Sequence, residues 1–265
     1  MDTTLPLLEQ ALASWRKWPL ALTCQPVVSC ELPGGQSNQT FLLAAGNTLL
    51  VLRLGLAGAE LLGVDRQREH KILLAAAAAG LAPRPLYHQP ACDLLVTEYL
   101  DGIKPDLNLL ATPQWQNALA RSLNAMRELS IELGPYPYRQ QLDSYWQQLI
   151  AAGHPEFEQY YRRAVLALEL LQSSNASLAV THHDLSLNNL LMVEDRLMLL
   201  DWEYAGNGYR IMDDLALSQA GVKPPRIHSA EQWAAAQAIH EFLDKGWHLL
   251  RQNSNWQRRN QGDTF

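Results

Sequence analysis

Residues 180–216 constrain this chain more than any other stretch. They read Val-Thr-His182-His183-Asp184-Leu-Ser-Leu-Asn188-Asn189-Leu-Leu, and further on Leu199-Leu200-Asp201-Trp202-Glu203-Tyr204-Ala205-Gly206. Asn189 follows Asp184 by five positions and Asp201 follows it by 17. A loop with one carboxylate and one amide, followed by a hairpin that returns a second carboxylate, gathers hard oxygen ligands at one point. Such a set suits Mg²⁺, which takes few carboxylates and completes its shell with water and phosphate oxygens. A free carboxylate beside it can accept the proton of an attacking hydroxyl. A base, an amide ligand and a carboxylate ligand are the parts that phosphoryl transfer needs. Taken singly, Asp184 can cap a helix and Asn188-Asn189 can turn the chain. His182-His183-Asp184 can also be read as a transition-metal cluster, although neighbouring residues of a strand point to opposite faces.

The rest of the chain divides into two unequal halves. Leu5, Leu8, Leu12 and Trp15 recur at helical spacing over residues 4–17. Short apolar runs predict strands at 27–32, 40–45, 48–54 and 94–99, with a helix over 65–79 stopped by Gly80 and Pro83. After Gly102 the pattern turns helical, at 113–133, 142–152, 156–172, 213–220 and 230–252. Three short apolar stretches, 179–181, 190–193 and 197–201, suit small strands around the Asp184 loop.

The 180–216 segment resembles the Brenner motif of the aminoglycoside phosphotransferase and choline kinase superfamily. That motif is His-x-Asp-x-x-x-x-Asn, then an apolar strand ending in Asp-(Phe/Trp)-Glu. His182, Asp184 and Asn189 match its first part, and Asp201-Trp202-Glu203 its second. Asp214-Leu215-Ala216 is similar to the Asp-(Leu/Ile)-Ala that follows. His183 departs from the pattern, where relatives often carry Gly or Asn. The resemblance covers about residues 30–220 and implies an α+β, bilobal protein-kinase-like fold. Its small N-lobe would be an antiparallel sheet with one helix, over residues 1–100. The larger, mainly helical C-lobe would hold the catalytic and acceptor groups, over 101–265. By the same resemblance Asp184 is the catalytic base and His182 braces its loop. Asn189 and Asp201 hold Mg²⁺ against the phosphates of ATP. Glu203 is a further metal or substrate carboxylate, and Asp214 anchors the loop.

The N-terminal half resembles the nucleotide side of that superfamily. Leu32-Pro33-Gly34-Gly35-Gln36-Ser37-Asn38 is similar to its glycine turn, whose amides can donate to phosphates. Arg53 stands on an apolar strand where kinases carry a phosphate-pairing lysine; its fork also suits phosphate. Glu69 becomes its helical partner, although Arg66 and Arg68 beside it also fit a solvated helix face. Glu98, Tyr99 and Leu100 fall at the hinge that would offer backbone groups to adenine.

The acceptor is implied to be a small alcohol. Trp146, Trp202, Tyr204 and Trp247 are candidates for its walls, since aromatic faces with nearby acids suit a cation. Leu142–Gln148 and Lys245–His248 are similar to stretches of bacterial thiamine kinases, so thiamine is the expected acceptor. Choline, ethanolamine and aminoglycosides are the alternatives. Other classes are a nucleotide-binding pseudokinase and a metal-dependent hydrolase built on the His182 cluster. The hydrolase leaves the glycine turn, Arg53 and Glu69 without a role.

Composition narrows the partners. With 21 Lys and Arg against 27 Asp and Glu, the chain projects no positive field toward nucleic acid or an anionic membrane. A membrane-spanning helix needs roughly 20 apolar residues, and the longest run here is 11, Ile72–Ala82. Cys24, Cys30 and Cys92 form no CxxC and are expected to be small buried hydrophobes in a reducing cytoplasm. Lys245, Arg251, Arg258 and Arg259 make the C-terminal end basic.

Overall fold

The computed structural model describes residues 4–33, 37–56, 58–90, 93–223 and 228–252. Its first part is an antiparallel sheet of β1 (Val27–Leu32), β2 (Asn38–Ala45), β3 (Thr48–Gly55), β4 (Pro85–Gln89) and β5 (Leu94–Glu98), in the order β1-β2-β3-β5-β4. Alternating side chains on β2 and β3 bury Phe41, Leu43, Leu50, Leu52 and Leu54. The first helix, α1 (Thr4–Ala13), packs onto that face through Ala11, followed by Trp18. It stops short of residue 17, which belongs to a separate 3₁₀ turn, Trp15–Lys17. Helix α2 (Arg66–Ala78) starts at Asp65, whose carboxylate caps the amides of Gln67 and Arg68 at 3.0 Å each.

Beyond Glu98 the chain is mainly helical, with α3 (Leu107–Leu110), α4 (Pro113–Arg127), α5 (Tyr138–Ala151), α6 (Glu158–Ser173), α7 (Arg210–Gln219) and α8 (Ala230–Gln252). Helices α5, α6, α7 and α8 share one core, which includes Tyr145, Leu149, Leu168, Leu171, Ile239 and Phe242. A second core crosses between the two parts. It joins Ile72, Leu73 and Ala76 of α2 to Trp115, Leu123 and Met126 of α4. Two small two-stranded antiparallel sheets complete the helical part; only the second is a hairpin. One pairs β6 (Leu178–Thr181) with β9 (Gly206–Tyr209), and the other pairs β7 (Leu190–Val193) with β8 (Arg196–Leu199).

The mixed α+β architecture, an antiparallel sheet with one crossing helix and a helical remainder, is the one expected. Several details differ. Helix α4 ends at Arg127 rather than 133, because Leu129, Ile131 and Leu133 alternate as an extended segment packed on the core. Helix α5 begins at Tyr138, directly after Pro137, rather than at 142. Strand β4 opens on a proline at the sheet edge, where a missing donor is tolerated. Strand β9 reads Gly-Asn-Gly-Tyr and carries no strand pattern at all. Its glycine has a steric reason: a Cβ on Gly208 would lie 2.5 Å from the Tyr138 hydroxyl. The expectation of buried thiols is corrected for two cysteines. Cys24 and Cys30 are exposed and unpaired; Cys30 lies on β1, an edge strand with nearly all its residues exposed, and Cys24 in the segment before it. Cys92 lies outside the described residues, as do Gly34, Gly35, Arg258 and Arg259. Lys245 is paired with Glu241 at 2.8 Å and Arg251 lies over the Trp247 ring at 4.8 Å. Among the described residues no helix is long and apolar enough to cross a membrane.

Candidate active site

The β7–β8 hairpin and the β6–β9 pair place the motif residues. Asn189 immediately precedes β7 and Asp201 comes two residues after β8, so the hairpin returns them to one end. The Leu200 amide donates to the Asn189 carbonyl at 2.8 Å and closes that end. Thr181 at the end of β6 leads into His182 and the Asp184 loop. His182 is fully buried, donates from Nε2 to the Leu200 carbonyl at 3.0 Å and packs on Trp202 at 5.0 Å between ring centres. It ties the loop to the hairpin end.

Asn189 donates from Nδ2 to Oδ2 of Asp184 at 2.8 Å and to its carbonyl at 2.9 Å. That fixes Asp184 and leaves its Oδ1 and the Asn189 Oδ1 as acceptors. Burial, and then the charge of Glu203, push Asp184 up to about 6, against the Asn189 hydrogen bond. Asp201 adopts a left-handed conformation, φ 62° and ψ 67°. Its Oδ1 is buried without a hydrogen-bond partner and lies 3.6 Å from Nη1 of Arg53. Burial and the charge of Glu203 hold Asp201 above the ordinary carboxylate range, against the pull of Arg53. An orphaned buried carboxylate oxygen near a free amide oxygen fits a hard divalent cation. Asp201 and Asn189 would hold Mg²⁺ here, with water and phosphate supplying the remaining ligands. Among the described residues no three His, Cys, Asp or Glu gather as a metal cluster. The two histidines do not form one, because His182 faces Leu200 and His183 bonds Tyr138 at 2.6 Å.

Arg53 and Glu69 meet as a buried bidentate pair, Nη1 on Oε1 and Nη2 on Oε2 at 2.8 Å. Burial alone would raise Glu69, but Arg53 and then Arg66 outweigh it and bring it to about 2. Glu203 lines the second of the two cavities described below, but its carboxylate is already engaged. It is buried and accepts from Ser37 Oγ, from Asn38 Nδ2 at 2.8 Å and from Arg66 Nη1 at 3.0 Å. The side chains of Ser37 and Asn38 therefore face Glu203. The loop anchor also differs from the expected one. Asp213 accepts from the amides of His182 and His183 at 3.1 and 2.9 Å. Asp214, its neighbour on the helix, instead holds Arg127 and His228, each at 2.7 Å. One residue along a helix rotates the side chain by about 100°, which separates the two tasks.

Two cavities meet at this point, and both are lined by Asn188, Asn189 and Asp201. The first, about 420 Å³, lies between the sheet and the helical part. Arg53 and Glu69 stand at one end and Glu98, Tyr99 and Leu100 at the other, with Val51 and Leu191 among its apolar walls. At the far end the Glu98 carboxylate accepts from the amide of Arg84 at 2.9 Å, and the Glu98 amide donates to the Arg84 carbonyl at 3.1 Å. The second, about 370 Å³, opens on the other side of Asp184. Its walls include Tyr138, Tyr204, Trp247, Asp244 and His183. Trp247 donates to the Tyr204 hydroxyl at 3.3 Å. Two of the expected wall residues stand elsewhere. Trp146 stacks on Tyr161 at 5.4 Å between helices, and Trp202, 2% exposed, is a floor of the first cavity.

Against known proteins, the model of the phosphotransferase enzyme family matches residues 29–252. The chain belongs to that family. Thiamine kinase of Salmonella paratyphi A is 28% identical over 193 residues, which are 71% of this chain and 64% of that protein. The chain thus aligns with just under two thirds of the length of these curated relatives. Among solved structures, choline kinase LicA from Streptococcus pneumoniae superposes with a TM-score of 0.72 at 18% identity, covering 99% of this chain and 94% of that one. A spectinomycin phosphotransferase in complex with ADP and spectinomycin gives a TM-score of 0.60 at 14% identity, covering 95% and 91%. At these identities the structural likeness shows a shared fold.

Within this phosphotransferase-family fold, the residues that sequence reasoning passed over are Arg66, Asp93, Asp213 and the ring set around His183. Arg66 was open to discovery: Arg and Glu three apart on a helix share a face, and the face that holds Glu69 is the buried one. The ring set had no local signal. His183 stacks on Tyr136 at 4.1 Å, and Arg68 lies over Tyr136 at 4.9 Å.

Proposed function

We propose that the chain is an ATP- and Mg²⁺-dependent kinase that phosphorylates the hydroxyl of a small alcohol. The observation that carries this reading is the position of Asp201 at the junction of the two cavities, with Asp184 in the wall of the second and Arg53 across from Asp201 in the first. The first cavity suits a nucleotide, with apolar walls for the base and the Arg53 guanidinium for phosphate. The division near residue 100 then separates nucleotide-binding from acceptor-binding work. The second cavity suits the acceptor. There the acceptor O–H gives its proton to Asp184 Oδ1 as its oxygen bonds the γ-phosphorus. The bond from that phosphorus to the bridging oxygen breaks, and ADP leaves. Bound Mg²⁺ would neutralise the phosphate charge.

Thiamine is the acceptor that the closer relatives favour, at 28% identity. A cavity with Tyr204, Trp247 and Asp244 in its walls suits a flat cation. We place the reaction in the cytoplasm, a setting that fits exposed, unpaired Cys24 and Cys30. The test is ADP release with thiamine, choline, ethanolamine, aminoglycosides and amino sugars in parallel. Thiamine is expected to give the highest kcat/KM. ADP release with choline alone would move the acceptor, and none with any alcohol would overturn the kinase.

A further inference from the structure

Arg66 is bound from four directions. Its Nη1 donates to Glu69 Oε2 at 2.9 Å and to Glu203 Oε2 at 3.0 Å, and its Nη2 to Asn38 Oδ1 at 2.6 Å. Its Nε lies 2.6 Å from Asp93 Oδ1. The four partners lie on helix α2, on β2, just before β5, and in the turn after β8. The first three belong to the sheet part and the last to the helical part. A guanidinium offers five donors in a rigid fork, so it can hold four acceptors in one fixed relation where an ammonium cannot. The surroundings are shaped for this. A Cβ on Gly55 would fall 1.7 Å from Asp93 Oδ2, so only glycine leaves Asp93 its place beside Arg66. Glu203 is 2% exposed, and the partners of its carboxylate, Ser37, Asn38 and Arg66, all come from the sheet part.

The contacts form an unbroken chain. Arg53 holds Glu69, Glu69 holds Arg66, and Arg66 holds Glu203, two residues beyond Asp201. The chain closes where Arg53 faces Asp201 at 3.6 Å. Arg53, proposed to meet the phosphates, and Asp201, proposed to hold Mg²⁺ against them, thus stand side by side in this ring. We propose that Arg66 is a positioning residue that locks the sheet part against the helical part and so fixes the gap between Arg53 and Asp201. It does not touch either substrate. Its effect on rate rests on the kinase reading above; its effect on the junction between the two parts does not.

The test compares Arg66→Lys, Arg66→Met and Gly55→Ala with the wild type. ADP release is measured alongside amide hydrogen exchange of residues 37–40 and 202–205. Misplacing reacting groups by about 1 Å can cost about 100-fold in rate, and a loss near that size in kcat is expected for Arg66→Met. Arg66→Lys keeps the charge but not the fork, and is expected to recover only part of it. Acceptor KM should change less than kcat, because Arg66 itself is not in the wall of the second cavity, although its partner Glu203 is. Exchange should quicken in both segments together. Gly55→Ala should repeat this pattern without altering Arg66. If Arg66→Met does not fold, Arg66→Lys and Gly55→Ala decide. Folded variants with wild-type kcat and exchange overturn the proposal, as does a stability loss with unchanged kcat. If the wild type itself releases no ADP, the kinase reading fails, and coupled exchange in the two segments alone supports or refutes the lock.

Discussion

Asn189 holds Asp184 at two atoms, the carboxylate and the carbonyl, from the same amide nitrogen. The carboxylate is therefore oriented before any substrate arrives, with Oδ1 left for a proton. Asp184→Asn keeps the shape and removes the base. Turnover should fall by about 10²–10⁴, the usual worth of a general base. Binding of ATP with Mg²⁺ should persist: ligand at about 100 times its Kd adds about 2.7 kcal/mol to stability, read as a rise in Tm. Turnover equal to wild type would remove Asp184 from the base role.

Asp201 carries the orphaned oxygen. Asp201→Ala should abolish the part of nucleotide affinity that depends on Mg²⁺ and leave the metal-free part near normal. Titrations of ATP with and without Mg²⁺ separate the two. A magnesium dependence identical to wild type would contradict the assignment.

Arg53 and Glu69 are an internal pair, with side chains 11% and 3% exposed. Arg53→Met strands part of the Glu69 charge on Arg66 alone. Breaking a buried pair from one side costs roughly 3–5 kcal/mol, and the remaining Arg66 contact places this variant near the lower end. The double variant Arg53→Met, Glu69→Gln should regain a portion of the loss. Urea midpoints measure both. An Arg53→Met protein as stable as wild type would mean that the pair is not a structural unit.

Acid removes in two stages the stability that the buried histidines and Glu69 contribute. Asp184, raised by burial to about 6, Asp213, raised by burial to about 7, and Asp201 take up protons in the fold and work the other way. Burial holds His182 at about 4 and His183 at about 3, from an ordinary 6.5, with the charge of Arg68 also lowering His183. Both stay neutral in the fold, while the unfolded chain gains protons as pH drops below 6.5. Stability from these groups is therefore full above 6.5 and falls below it, at most about 1.4 kcal/mol per pH unit for each proton. His88, stacked on His70 and lowered to about 4, works in the same direction. Glu69 adds a second stage, from 4.5 down to about 2. His183→Asn should flatten the slope between pH 6.5 and 5 by about one proton, measured by urea unfolding at several pH values. An unaltered slope would show that His183 titrates normally.

The motif and the fold class were legible because their signals are local. Asp184, Asn189 and Asp201 sit on a loop and a hairpin, so sequence spacing converts directly into proximity. The apolar runs at 40–45 and 48–54 and the helix beginning near residue 65 are equally local. What sequence could not supply came from contacts between distant segments. Glu203 reads from the motif as a free site carboxylate; it does line the second cavity, but Ser37 and Arg66 also hold it, across 166 and 137 residues. Asp213 and Asp214 are adjacent, and only the helix rotation decides which one reaches the loop. Trp146 and Trp202 are aromatic in the right regions, yet packing against Tyr161 and His182 uses their faces. Strand β9 was invisible because its glycines answer to Tyr136 and Tyr138, not to strand propensity.

The left-handed backbone of Asp201 sets stability and reactivity against each other. A residue with a side chain costs roughly 1–2 kcal/mol in that conformation, and glycine is free of the cost. Asp201→Gly should therefore relax the turn and tend to raise the melting temperature while discarding the orphaned carboxylate. Laboratory evolution that rewards heat resistance alone would drift toward glycine at this position and deliver a sturdier protein with an inert centre.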